Sequence, residues 1–364
     1  MSPLPTVLMN HWARAGARTG VLLATAGLPF LVLAACDAPS SAPVADVASF
    51  TESDSAYTIR GLIAQLDIDD ERALFGSVTA VVENADGGYV AADGLNQRMV
   101  FMDRNLNPVR TVGRHGEGPG EYQLPGVLIR NGDQIAVVDQ SHARVTYLTS
   151  RGDFVRVHQV GGFLSDATVH PELGLLVVGM EFSDHYLARV AESGQTAFAE
   201  VPVRFRDQSA VFQLPIDLVA TTPDGLVHVL DGSQLVLASY DGVGRLVGLA
   251  YLPEPMRTSL LERDANRIEA LGGAARVLGS QLARSLQVLE DGRLFVRITY
   301  LDTVGLVLDL NTLRAIPVTK PDDSQWEWIP RTGASFFDGD RLVMEGLKDG
   351  PAALVIAETE LVAR

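Results

Sequence analysis

Asp86-Gly-Gly-Tyr-Val-Ala-Ala-Asp93, followed by Gln97-Arg-Met-Val-Phe-Met-Asp103, sets the pattern of this chain. It returns as Asn131-Gly-Asp-Gln-Ile-Ala-Val-Val-Asp139 with His142-Ala-Arg-Val-Thr-Tyr-Leu148. A third copy is Asp224-Gly-Leu-Val-His-Val-Leu-Asp231 with Gln234-Leu-Val-Leu-Ala-Ser-Tyr-Asp241. Asp-Gly and Asn-Gly pairs supply the positive φ that a tight turn needs. The short, β-branched, alternating runs between them read as strands.

Turn signals ahead of an apolar strand start at Asp86, Asn131, Glu172, Asp224, Asp291 and Asp338, at intervals of 45, 41, 52, 67 and 47 residues. A period of about 40–50 residues with four short strands per unit is the signature of a propeller blade. One small sheet cannot bury its apolar face alone, whereas a ring of them can. The expected fold is therefore all-β: a six-bladed β-propeller with a helical insertion between blades four and five. The insertion is the segment Pro255 to Gln287, whose Leu260, Leu261, Ile268, Leu271, Val277, Leu278, Leu282 and Leu286 fall at near-helical spacing. Gly272-Gly273 is expected to split it in two. It reads as an excursion packed on the rim, or as a lid or partner surface. The strand near Phe75–Val82 is expected to complete the last blade, so that no edge is left open.

These residues carry a resemblance. Asp93 with Gln97-Arg98-Met-Val-Phe, and Asp139 with Ala143-Arg144-Val-Thr-Tyr, resemble NHL-type repeats. Gly113-Arg-His-Gly-Glu-Gly-Pro-Gly-Glu-Tyr122, followed by Pro125, is similar to a motif of bacterial six-bladed β-propeller lipoproteins. The likeness spans roughly Gly76 to Arg364. It fits blades three, five and six poorly: Glu181-Phe-Ser-Asp-His-Tyr186 stands where the Asp–Arg pattern is due.

The start of the chain is an address. Residues 1–35 hold no acid and two arginines, Arg14 and Arg18, and then an apolar run from Val21 to Ala35. A charged start, a short apolar stretch and small residues at its end make a secretory signal. The run is short of the ~20 residues that span a bilayer. It ends Leu33-Ala34-Ala35-Cys36, which resembles a bacterial lipobox, and Cys36 is the one cysteine among 364 residues. A lipidated Cys36 makes the membrane a partner, and Asp37 to Asp46 reads as a Pro/Ser/Ala-rich tether. The expected layout is a signal peptide over 1–35, a lipid-anchored linker over 36–60 and the propeller over 61–364. The location is the cell envelope, facing the periplasm.

Net charge is −16, from 29 basic and 45 acidic residues, which argues against a nucleic-acid partner. One cysteine excludes an intramolecular disulfide framework and a Cys-rich zinc site. The glycine-rich Gly113–Gly120 ends in Pro119-Gly120-Glu121, without the Lys-Ser/Thr of a P-loop, and no helix follows as a dinucleotide loop requires. It reads as a structural turn. Asp67-Ile-Asp-Asp-Glu71 lacks the glycine and glutamate spacing of an EF-hand. Asp93, Asp139 and Asp231 recur at the ends of what read as first strands, so they are expected to cap turns, with Arg98 and Arg144 as partners. Arg151-Gly-Asp153 falls where a hairpin is due, and His228 in an apolar strand reads as core.

Candidate ligand-binding residues are those that leave the repeat. They are Glu181, Asp184, His185 and Tyr186 in blade three, Arg297, Tyr300 and Asp302 in blade five, and the aromatic pair Trp326 and Trp328. Propellers bind ligands at the channel mouth, where loops of several blades converge. No cofactor is expected and no catalytic or metal set can be named. The function expected is a lipid-anchored binding or scaffold module for a protein, peptide or glycan. The alternative implied by propellers of similar architecture is a metal-dependent hydrolase or lyase.

Overall fold

The computed structural model describes residues 47–65, 74–181, 184–191, 194–200, 217–271, 282–298, 303–319, 329–338, 340–347 and 352–363. The chain divides into Met1–Val44 and Ala45–Arg364, and every strand below belongs to the second part. Three strands come first: β1 (Val47–Ser49), β2 (Thr51–Glu52) and β3 (Ser55–Gln65). The first four-strand unit is β4 (Val78–Glu83), β5 (Tyr89–Asp93), β6 (Arg98–Met102) and β7 (Pro108–Val112). A small parallel pair follows, β8 (Arg114–His115) and β9 (Glu121–Tyr122). The second unit is β10 (Pro125–Asn131), β11 (Gln134–Asp139), β12 (Arg144–Thr149) and β13 (Phe154–Gln159). The third is β14 (Phe163–His170), β15 (Gly174–Glu181), β16 (Asp184–Ala191) and β17 (Gly194–Glu200). The fourth is β18 (Asp217–Thr221), β19 (Val227–Asp231), β20 (Val236–Tyr240) and β21 (Leu246–Tyr251), after which comes α1 (Glu254–Leu271). The fifth is β22 (Ala283–Val288), β23 (Leu294–Ile298), β24 (Thr303–Asp309) and β25 (Arg314–Thr319). The last is β26 (Ile329–Asp338), β27 (Arg341–Leu347) and β28 (Ala352–Ala363).

Within each unit the strands pair in chain order, antiparallel. Every turn signal named above separates the first strand of a unit from the second. At Asp86-Gly87 the carboxylate accepts the Gly88 N–H at 3.0 Å and Gly87 takes φ +80°, which only glycine adopts without strain. The first strands close a ring: β4 packs on β10, β10 on β14, β14 on β18, β18 on β22, β22 on β26, and β26 back on β4. The apolar clusters lie between neighbouring units, as with Ala80, Val90 and Met99 against Leu128, Ile135 and Val137. Burying those faces against one another is what makes the ring stable. The fold is a β-propeller.

Ring closure differs from expectation. Val78–Glu83 is the first strand of the first unit, not the last strand of the last. That place is taken by β3, which runs antiparallel to β28 from Ser55 opposite Ala363 to Gln65 opposite Val355. Strand pairing also begins at Val47, inside the stretch read as linker. β1 lies parallel to β21, and β2 and β3 lie parallel to β25. Between them Phe50 N–H bonds to Tyr251 O (2.8 Å) and Thr51 N–H to Leu313 O (2.9 Å). The segment thus laces the outer edges of the last three units into a belt.

The helix covers part of the expected insertion, between the fourth and fifth units. Leu282 and Leu286 are not helical; Leu286 sits inside β22, and Gly272-Gly273 lies outside the described residues. Leu260 is fully buried in one cluster with Leu235, Leu252 and Leu282, while Glu254, Thr258, Glu262 and Arg263 are exposed.

The repeated aspartates close the second strand of the first, second and fourth units rather than the first strand. Asp93 accepts Gly76 N–H (3.0 Å) and Ser77 N–H (3.3 Å), and Asp139 accepts Gln123 N–H (3.1 Å) and Leu124 N–H (2.9 Å). Both therefore pin the chain where it enters a first strand. Arg98 pairs with Asp93 at 3.1 Å and Arg144 with Asp139 at 3.5 Å. Arg144 also donates to Glu117 O and Glu121 O, which fixes the glycine-rich loop as a structural turn. Gly113 has φ +94°, and a Cβ there would stand 2.8 Å from the Tyr122 ring. Gly113→Ala is expected to destabilise by about 1–3 kcal/mol. Urea denaturation of the variant checks it, and an unchanged midpoint would contradict this packing.

Candidate functional site

The ring of first strands encloses a cavity of about 640 Å³. Side chains from β4, β10, β14, β18 and β22 line it, with Phe336 of β26 and Glu345 of β27. A second hollow of about 380 Å³ shares Val82, Arg130, Gln287, Val288 and Phe336 with the first. It adds Tyr57, Arg293 and Phe337 at the turn end of the ring. Arg130 is held there by Glu83 at 3.3 Å.

The wall is built from clasps between units. Thr79 Oγ1 donates to Pro125 O, joining the first unit to the second. Gln140 Nε2 donates to Ser165 O (3.0 Å), joining the second to the third. Asp166 accepts Val219 N–H (2.9 Å), joining the third to the fourth. Gln287 exchanges two bonds of 2.7 Å with the Phe337 backbone, joining the fifth to the last. The junction of the fourth and fifth units differs. There the hydroxyl oxygens of Thr221, on β18, and Ser285, on β22, are buried in the wall with no hydrogen-bond partner in the protein. A buried, unpaired hydroxyl costs free energy. Both oxygens are sealed inside the wall, out of reach of anything in the cavity.

Asp166 is 8% exposed, and burial pushes its carboxyl up to about 7, while the Val219 and Ala167 N–H groups it accepts pull the other way. Asp166→Ala leaves the Val219 N–H unpaired and is expected to cost about 1–3 kcal/mol. Urea denaturation at pH 6 tests this, and no loss would show that the clasp carries nothing.

Of the ligand-binding residues picked from the sequence, only Tyr186 and Arg297 have described side chains, and these stand in different units. The backbone of Glu181, Asp184 and His185 flanks the hairpin between β15 and β16, on the rim of the third unit, and their side chains lie outside the described residues. Tyr186 donates its hydroxyl to Gly161 O (2.6 Å), a strut between units. Arg297, on β23, is buried behind the wall and donates to Val304 O; burial lowers it to about 10, and the nearby Glu345 carboxylate pulls it back up. Tyr300, Asp302, Trp326, Trp328, Cys36 and the run Asp67–Glu71 lie outside the described residues. His228 is core, as read: Nε2 faces Thr222 Oγ1 (3.2 Å), Nδ1 faces Ser239 Oγ (2.8 Å), and burial holds it down near 4.

Sequence reasoning missed Asp166, Thr221, Arg284 and Ser285. A signal was present: polar residues interrupt first strands, as in Phe163-Leu-Ser-Asp-Ala-Thr168 and Ala283-Arg-Ser-Leu286. Among the described residues no three of His, Cys, Asp and Glu converge as metal ligands, and no helix is long and apolar enough to cross a membrane.

No family model matches the chain. Among solved structures it is similar to a candidate exported protein of Bacteroides fragilis NCTC 9343, at 16% identity and TM-score 0.56 over 86% of this chain and 100% of that one. A protein of unknown function from Bacteroides thetaiotaomicron VPI-5482 shares 14% identity at TM-score 0.56, covering 84% of this chain and 76% of that one. Virginiamycin B lyase from Staphylococcus aureus follows at 12% identity and TM-score 0.49, covering 85% and 97%. At these identities the likeness concerns the fold alone.

Proposed function

We propose that this chain is a lipid-anchored, six-bladed, NHL-like propeller of the cell envelope that binds a protein, peptide or glycan segment in its central channel. The blade count rests on the closed ring of six first strands and on reading the nine-stranded sheet as two blades joined through β3. The anchor rests on Leu33-Ala34-Ala35-Cys36 and the tether behind it. Cys36→Ser is expected to move the chain from the membrane to the soluble envelope fraction. The observation that carries the binding role is the channel cavity of about 640 Å³, where Arg130, Gln140, Thr168, Arg284 and Gln287 stand among apolar side chains.

The test is calorimetric titration with a soluble muropeptide, which offers sugar and peptide together. Wild type is expected to bind saturably, and Thr221→Trp, which fills the cavity, at least ten-fold more weakly. Equal affinity, or no binding to the muropeptide or to its separated glycan and peptide, would remove the channel reading. A second reading, a hydrolase or lyase, has Asp166 in its favour, a channel carboxyl poised near neutrality. Both its oxygens already accept backbone N–H groups, which favours the wall over the reaction.

A further inference from the structure

The belt shows how outer edges are completed in this molecule. β21, β25 and β28 each carry a strand of the N-terminal segment. Among the described residues, β13 pairs with β12 on one side and with nothing on the other. An open edge presents unpaired N–H and C=O groups, which sequences blunt with charged side chains, proline or a bulge. Phe154-Val-Arg-Val-His-Gln159 has no lysine or proline; its one arginine is Arg156, and its bulge at Val155 leaves the ladder from Arg156 to Gln159 regular.

The register says which groups are free. Val160 N–H bonds back to Ala143 O (2.8 Å), and the ladder runs unbroken through His158 opposite Val145 to Arg156 opposite Tyr147. Alternation therefore turns the N–H and C=O of Val157 and Gln159 outward. Phe154, Val155 and Val157 are 43%, 38% and 39% exposed. Around them stand cations. Arg156 lies over the Tyr147 ring at 4.1 Å, leaving the edge uncovered, and Arg151 is exposed. Arg110 reaches across from β7 to Asp153 at 2.9 Å. This basic, apolar rim belongs to a chain of net charge −16.

We propose that β13 is a docking edge for an extended, acidic and apolar segment of a partner protein, which adds to the second unit as an outer strand. Self-pairing would set Arg156 and its neighbours against the same cations of a second copy, which opposes a dimer through this edge. The proposal does not depend on the channel or on the anchor.

The probe is a dye-labelled peptide of alternating Glu and Val, titrated against the full chain in detergent and read by fluorescence anisotropy. Binding is expected, with a Lys–Val peptide at least ten-fold weaker. Val157→Pro removes one outward N–H and no bond to β12, so it should keep the wild-type Tm and lose at least ten-fold in affinity. Arg156→Glu should weaken the acidic peptide and strengthen the basic one. Hydrogen exchange gives an independent reading: the Val157 and Gln159 amides should exchange freely alone and slow when peptide is bound. The proposal is overturned by undetectable binding, by equal affinity for both peptides, or by amides already protected in the free chain. Phosphatidylglycerol vesicles that displace the peptide, or a dimer abolished by Val157→Pro, would overturn it too.

Discussion

A chain lacking residues 1–65 is expected not to fold, while a chain lacking residues 1–46, which keeps every belt strand, serves as the folded reference. The first truncation removes β1, β2 and β3 together. The last unit then has three strands, and β28 loses a ladder running from Ser55 opposite Ala363 to Gln65 opposite Val355. Buried side chains go as well: Phe50 is 2% exposed, Ala56 3% and Ile59 0%. Ile59 belongs to the cluster formed with Val318, Val355 and Ile356, so its loss opens the seam that closes the ring. The ring is cooperative, because each unit buries its neighbour's face. A milder version is Ile59→Ala, expected to cost about 2–5 kcal/mol. Circular dichroism and urea denaturation read both. A cooperative transition at the reference midpoint in the 1–65 truncation would disprove belt closure.

One aspartate position is expected to give opposite results in two units. Asp139→Ala should destabilise by about 3–5 kcal/mol, because it strands the buried Arg144, whose side chain is 7% exposed. It also frees Gln123 N–H and Leu124 N–H and unpins the loop that Arg144 holds. In the fourth unit the arginine's place opposite the aspartate is taken by Val236, and Asp217 stands across the ladder from Asp231 on the other side. Both carboxyls are 1% exposed. Asp231 Oδ1 accepts three bonds, from Ser233 N–H, Ser233 Oγ and Gln234 N–H, while Oδ2 has no partner. Burial first, then Asp217, pushes Asp231 up to about 6.

A carboxyl raised on folding binds its proton more tightly in the native state. Its contribution is whole below its ordinary value near 4 and is lost as pH rises through about 6. Asp231→Asn keeps the three-bond acceptor and turns an N–H donor toward Asp217. The variant should match wild type below pH 4 and exceed it above pH 6, by on the order of 2 kcal/mol. Taking the difference between the two proteins cancels groups that titrate in both, among them Asp166 and His228. Urea midpoints from pH 3.5 to 8 give the curve. A variant that is less stable than wild type at pH 8 would refute the carboxylate pair.

Much of this was legible in the order of residues, and what was legible is local. Each turn signal from Asp86 to Asp338 fell between a first and a second strand, because Asp-Gly and its kin fix φ over two residues whatever surrounds them. Asp93 and Asp139 were legible as caps because a short carboxylate reaches N–H groups that the same repeat always brings to it. Gly113–Tyr122 lacked the chemistry of a phosphate loop, and Arg151-Gly152-Asp153 is indeed a hairpin, with Thr149 Oγ1 accepting Arg151 and Asp153 N–H.

Two things were decided only by the tertiary structure. Residues 55–65 carry no local mark separating a closing strand from any other; their role comes from pairing with residues about 300 positions away, as the fourth strand of the last unit. The channel wall was hidden for a related reason. Asp166, Thr221 and Ser285 look like solvent-facing positions of alternating strands, and all three stand on first strands that border the cavity. The ring turns that side inward, so polarity that reads as surface in one strand becomes the lining of a cavity when the strands stand in a circle.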